Sequence, residues 1–244
     1  MVGEKPMNPS NPNSSVFDRM SATTVLTASQ AAVIKQTYAL FGIAVLAAMV
    51  GGYIGATTEV IVRFFSSWIG WIVAMIGLNA VPRIAMSARG NSALGTAALV
   101  FDGFFAGICL APLLWFASLK APQMILVAMG ITAIVFIGIT GYVFTSGRTF
   151  SAPRGLMIGL FFSVIGAMVL NAFMNIGFLG ILIAVGIGAI GVIALVTSTS
   201  AILQSGDADS AIPGALALFA GVFNIFVATL NILLRLFGGG DRRR

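Results

Sequence analysis

The stretch GLMIGLFFSVIGAMVLNAFMNIGFLGILIAVGIGAIGVIALVTSTSAILQSG, residues 155–206, contains no charged side chain. It is more than twice as long as the ~20 apolar residues one membrane helix needs, so it reads as two spans in succession. The pattern repeats outward from this segment. Mean hydropathy is +1.04, 59% of the 244 residues are hydrophobic and 8% are charged, and the charges fall between apolar runs. Apolar runs bounded by charge, Pro or polar clusters give seven spans, at about 34–56, 61–82, 92–118, 122–145, 155–173, 176–203 and 212–237. Backbone N–H and C=O groups must all be paired in hydrocarbon, and the alternation of a membrane barrel is absent. The fold class is therefore all-α, a polytopic bundle of seven transmembrane helices.

The chain divides into a polar tail over residues 1–30, the bundle over 31–238 and a basic tail over 239–244. The first segment is rich in Ser, Asn, Thr and Pro and has no continuous apolar h-region, so it reads as a tail and not as a signal peptide, with disorder expected to about Ser14. For orientation, Lys5, Arg19, Lys35, Arg83, Arg89, Arg148 and Arg154 fall on the amino-terminal side, against Arg63 and Lys120 opposite. The positive-inside bias puts the amino terminus in the cytoplasm. Seven spans then carry Arg235, Arg242, Arg243 and Arg244 to the other side, against the same rule.

Net charge is +6, but the basic residues are scattered through the loops and build no aromatic-rich face, so they read as topology signals and lipid contacts and not as a nucleic-acid surface. There is no His, and Cys109 is the one Cys, which excludes intrachain disulfides and the usual zinc ligand sets. Gly186, Gly188 and Gly191 spell GxGxxG, but without the strand and the acidic residue that a dinucleotide site needs. Serine chemistry lacks its His, and no second intramembrane carboxylate stands ready for an aspartyl dyad. No catalytic residue and no cofactor is assigned.

The polar residues inside the spans are the candidate site. Asp102 is the one acidic side chain well inside a span, where a charge costs at least ~2.5–3.5 kcal/mol on insertion scales. It either hydrogen-bonds a neighbouring Ser, Thr or Asn or pairs with Arg83 or Arg89. Thr197, Ser198, Thr199 and Ser200 end the sixth span, and Asn224 and Asn231 lie in the seventh. These groups need partners in hydrocarbon, which interhelical hydrogen bonds or a water-lined path would supply. Asp207 and Asp209 form a short acidic turn between the two spans.

GxxxG spacing occurs at Gly51 and Gly55, Gly103 and Gly107, and Gly155 and Gly159, and is assigned to packing within the bundle. Glu59 and Arg63 are a helical pair at the membrane surface. Trp68, Trp71 and Trp115 suit an aromatic belt, and Pro112 should kink or unwind its helix while freeing a carbonyl.

The carboxyl end, GALALFAGVFNIFVATLNILLRLFGG, resembles the last helix of the Bax inhibitor (transmembrane Bax inhibitor motif) family, with Phe219, Asn224, Ile225, Phe226, Leu230 and Gly238 on its pattern. IALVTSTSAILQSGD, MGITAIVFIGITGYVFTSGRTFSAPRGLMIG and FFAGICLAPLL extend the likeness over about 37–238, toward the bacterial YccA-like branch. The resemblance implies that the last helix is central, that the protein sits in a bacterial cytoplasmic (inner) membrane, and that its partner is the membrane protease FtsH with its accessory proteins. Other family members are described as pH-sensitive calcium leak channels gated by an aspartate pair. On this chain those positions fall on Ser198 and Gly221. Two coupled carboxylates share a proton and titrate near neutral pH, whereas Ser and Gly do not.

The expectation is therefore a non-enzymatic multi-pass protein that binds other membrane proteins, as an FtsH modulator or as an accessory subunit of a larger complex. The alternative is a calcium or proton leak path lined by Asp102, Ser198, Thr199 and Asn224, and a third possibility is a purely structural subunit.

Overall fold

A computed structural model describes residues 28–88, 90–174, 176–205 and 211–238. Among these residues there are nine helices: α1 (Ala28–Thr57), α2 (Glu59–Ser66), α3 (Trp68–Ser87), α4 (Ser92–Cys109), α5 (Ala111–Lys120), α6 (Gln123–Ser146), α7 (Arg154–Met174), α8 (Gly177–Gln204) and α9 (Ala211–Phe237). Six of them, α1, α3, α4, α6, α8 and α9, are long and apolar enough to cross a bilayer. In α7 the apolar stretch Gly155–Asn171 is shorter, at the low end of the ~17–25 residues that span. The polar amino-terminal tail, the Asp207 and Asp209 turn, Arg89, Asn175 and the basic carboxyl tail lie outside the described residues.

The central position of the last helix follows from its contacts. α9 packs on α8, α1, α6, α3, α4 and α5, and each of the three apolar clusters is built on it. Ile212, Leu216 and Phe219 meet Leu40 of α1, Ala85 of α3 and Leu99 of α4. Leu230 and Leu234 meet Ala117 of α5 and Ala128 of α6, and Leu218 and Ile225 meet Leu195 and Ile202 of α8. By contrast, α7 buries none of its described side chains and rests mainly on α8.

Two of the seven expected spans are broken. The second, read as 61–82, divides at Ser67, whose backbone is extended (φ −80°, ψ 159°). The Ser67 hydroxyl donates to the Phe64 carbonyl at 2.6 Å and accepts from Gly70 N–H at 3.1 Å, closing one helix and capping the next. The membrane segment therefore starts at Trp68, and Arg63 moves out of it onto the separate short helix α2. The third span, read as 92–118, divides at Leu110, with Pro112 in the first turn of α5. Pro112 has no N–H to continue the ladder, and Leu110 N–H turns back to the Gly107 carbonyl at 3.1 Å. α6 ends where the sequence supplies Gly147 in the left-handed region, φ 61°.

α1 and α4 approach backbone to backbone. A Cβ on Gly51 would collide with the Phe104 carbonyl, and one on Gly103 with the Ala44 carbonyl. A Cβ on Gly107 would meet the Ala48 carbonyl and Gly52 N. The first two GxxxG pairs thus pack inside the bundle, facing one another. Gly155 and Gly159 of α7 have open space beside them instead, so this third pair makes no such contact among the described residues.

Gly103→Ala and Gly107→Ala should each lower the thermal stability of the detergent-solubilised protein, by about 1–3 kcal/mol of overpacking. Gly130→Ala, which meets nothing within 4 Å, should leave it unchanged or raise it by up to about 1 kcal/mol. Melting curves on the three variants check the contrast, and equal behaviour would remove the α1–α4 contact from the account of stability.

Candidate functional site

The residues singled out in the sequence fall into two places and not one. Ser198 and Thr199 lie on α8 and Asn224 on α9, whereas Asp102 sits on α4, which packs on α1, α3 and α9.

Along α8 the residues Gly191, Leu195, Ser198 and Ile202 recur at helical spacing on the face toward α9. Gly191 is the closest point. A Cβ there would lie 2.7 Å from the Gly221 carbonyl and 3.0 Å from Asn224 Cβ, and one on Gly221 would lie 3.1 Å from both the Gly191 carbonyl and Leu195 N. Position 221 therefore holds no space for a carboxylate unless α8 moves. Ser198 is buried, and its hydroxyl donates into its own helix, to the Ala194 carbonyl at 2.6 Å and to Leu195 at 3.2 Å. The other two glycines of the GxGxxG also lie against neighbouring helices: a Cβ on Gly186 would meet Val164 of α7, and one on Gly188 would meet Ala228 of α9.

The hydroxyl cluster divides its bonds in a way the sequence did not indicate. Thr197, like Ser198, bonds back to α8, through the Ile193 and Ala194 carbonyls, and Asn231 likewise bonds back within α9, to Val227. Asn224 makes no hydrogen bond among the described residues. Ser200 alone of the cluster bonds outside its helix. It accepts from Phe150 N–H at 2.8 Å and from Gln204 Nε2 at 3.0 Å, pinning the segment between α6 and α7 to the end of α8.

Thr199 is fully buried, and its hydroxyl has no hydrogen-bond partner. Beside it the Tyr38 hydroxyl of α1 comes within interaction range of both Thr199 and Thr140 of α6, yet none of the three makes a bond of good geometry, and Thr37 is likewise unpartnered. Three helices thus converge on buried hydroxyls, a setting suited to an internal water with two to four polar partners. Tyr38 escaped the sequence reading, although a Tyr inside an apolar span is a signal in itself, because its hydroxyl seeks a partner when buried.

Asp102 is 4% exposed, on the α4 face that carries Leu99 and Ala106 into the apolar cluster shared with α1 and α9. Neither the hydrogen bond to Ser, Thr or Asn nor the pair with Arg83 expected from the sequence is formed, and Arg89 lies outside the described residues. The one salt bridge among the described residues joins Arg63 to Glu59, at 2.5 Å.

Comparison with known proteins bears on this arrangement. The family model described as "Inhibitor of apoptosis-promoting Bax1" matches residues 30–239. An uncharacterised protein of Neisseria meningitidis is 28% identical over 88% of this chain and 96% of its own length. One from Pseudomonas aeruginosa is 29% identical over 69% of this chain and 75% of its own. The Escherichia coli protein named modulator of FtsH protease YccA is 28% identical over 67% of this chain and 74% of its own length, and a second Escherichia coli sequence is named inner membrane protein YccA.

Two substitutions test the site's geometry. Ser200→Ala should cost about 1 kcal/mol and free residues 147–153, seen as faster tryptic cleavage at the exposed Arg148. Asp102→Leu should keep or raise thermal stability, by up to about 1–3 kcal/mol, because replacing an unpartnered buried polar group removes a desolvation penalty. A clear loss in melting temperature for Asp102→Leu would reveal a partner for the carboxylate.

Proposed function

We propose that this chain, which belongs to the Bax inhibitor family of multi-pass membrane proteins, acts without catalysis by binding other membrane proteins, as a modulator of an FtsH-type protease or as an accessory subunit. It lies in a bacterial inner membrane with its amino terminus in the cytoplasm. The observation that carries this role is the closed α8–α9 seam. Where the resemblance puts a proton-sharing pair of acids, the chain has a hydroxyl bonded to its own helix at Ser198 and a glycine pressed on the α8 backbone at Gly221. Two carboxylates can hold a titrating proton between them, and these two positions cannot. The Escherichia coli relative's name, modulator of FtsH protease, supports the choice of partner.

In a binding role the described bundle supplies a centre on α9 and a peripheral helix, α7, which rests mainly on α8 and leaves Gly155 and Gly159 with open space beside them. Lateral contact between helices in a membrane relies on van der Waals fit and small residues, which leaves such a surface able to take a partner helix without any active site.

The leak-channel alternative keeps one specific observation, the unpartnered Asp102, and two measurements separate the roles. Gentle affinity purification of the tagged protein from its native membrane should enrich a membrane protease of the FtsH type or a defined complex. The chain recovered alone would count against the binding role. Liposomes carrying the purified protein should show calcium and proton flux equal to that of empty liposomes, and a flux that Asp102→Asn abolishes would transfer the function to the leak path.

A further inference from the structure

The short helix α2 and the middle of α5 border an open cleft of about 460 Å³ lined by Glu59, Val62, Arg63, Ser66, Ser67 and Trp115. Its size falls within the ~300–1,000 Å³ of small-ligand sites. Glu59, Arg63 and Ser66 are spaced i, i+4, i+7, so one stripe of α2 lays a carboxylate, a guanidinium and a hydroxyl along the wall. Glu59 and Arg63 bond to each other at 2.5 Å, but their side chains remain 75% and 78% exposed, leaving most of the guanidinium donors and carboxylate lone pairs open. Ser67 is occupied by the helix break, whereas the Ser66 hydroxyl makes no hydrogen bond among the described residues. Val62 is buried at the base, and Trp115 supplies a half-exposed indole.

The depth of this cleft relative to the bilayer can be read from its neighbours. α1 has 30 residues, about 45 Å at the helical rise, so it overruns the ~30 Å hydrocarbon layer. All three tryptophans of the chain, Trp68, Trp71 and Trp115, stand exposed at its Thr57 end, beside Arg63 and Lys120. That is the headgroup level.

We propose that this cleft seats the headgroup of a zwitterionic phospholipid with a primary amine. Arg63 and Ser66 donate to the phosphate, Glu59 accepts from the ammonium, and the glycerol rests on Trp115 and Val62. A simple anion would meet the Glu59 charge, and a simple cation that of Arg63. A phosphate and an ammonium two carbons apart satisfy both. Choline has no N–H to offer Glu59, and the glycerol headgroup has no positive charge.

Native mass spectrometry of the full chain in detergent, given equal amounts of phosphatidylethanolamine, phosphatidylcholine and phosphatidylglycerol, tests the assignment. The ethanolamine lipid should be retained about three- to fivefold over the others, the scale of an exposed ion pair. Glu59→Gln should abolish that preference while phospholipid still binds. Arg63→Gln should lower retention of all three, with helical content by circular dichroism unchanged in both variants. Equal retention of the three lipids by the unaltered protein, or retention unchanged by both substitutions, would overturn the site. Displacement of bound lipid by millimolar glycerophosphoethanolamine would make the ligand a soluble zwitterion and overturn the lipid assignment.

Discussion

An apolar side chain gains little by leaving lipid for a protein interior, so a membrane bundle must be held by something other than the hydrophobic effect that assembles a soluble core. Here that something is close backbone approach. At Gly51, Gly103 and Gly107 the α1 and α4 backbones stand where any Cβ would collide with a carbonyl, at Gly191 a Cβ would collide with the Gly221 carbonyl of α9, and at Gly221 it would be tightly packed against α8. Dispersion falls off steeply with a gap of even a fraction of an ångström, so these contacts gain attraction along their length that bulkier residues would forfeit. α9, which touches six other helices, is fixed on the α8 side by glycine together with Leu218 and Ile225, and on the others by Leu, Ile and Phe.

The spans were legible because their signal is strong and one-dimensional. An uncharged run over 155–206 admits few readings, and the central last helix followed from the motif around Asn224. The interruptions were less legible. Pro112 announced a break chemically, whereas Ser67 did not, because a Ser in an apolar run looks the same whether it bonds back to its helix or caps the next one. Its role depends on Gly70, where a Cβ would strike the Phe64 carbonyl, and that is a fact of three-dimensional approach. The cost of missing it was to begin the second span at 61 and not at Trp68, although Glu59 and Arg63 were read as a pair at the membrane surface.

The candidate site was legible as a set of residue types but not as a place. Sequence can say that Asp102, Ser198, Thr199 and Asn224 each need a partner, because hydrocarbon offers none. It cannot say that Ser198 finds one within its own helix, that Ser200 reaches the Phe150 amide, or that α4 directs Asp102 toward α1 and α9. Helical rotation decides these matters, and in a chain apolar on all sides no amphipathic stripe reveals it. The same lack hid Tyr38, whose convergence with Thr140 and Thr199 joins three helices far apart in sequence.

The two polar regions differ in a way that bears on any ion path. A conducting route needs groups that hand a charge along at hydrogen-bond spacing, each favourable enough to enter and weak enough to leave. The Tyr38, Thr140 and Thr199 hydroxyls are neutral at physiological pH and sit between α1, α6 and α8, while the one intramembrane carboxylate is on α4, against α1, α3 and α9. Apolar clusters on α9 adjoin both regions, with Leu218 fully buried and Phe219 nearly so. No hydrogen bond among the described residues links Asp102 to those hydroxyls. The central helix that holds the bundle together thus carries apolar packing toward both polar regions, and a change that thinned α9 would loosen the packing around each of them.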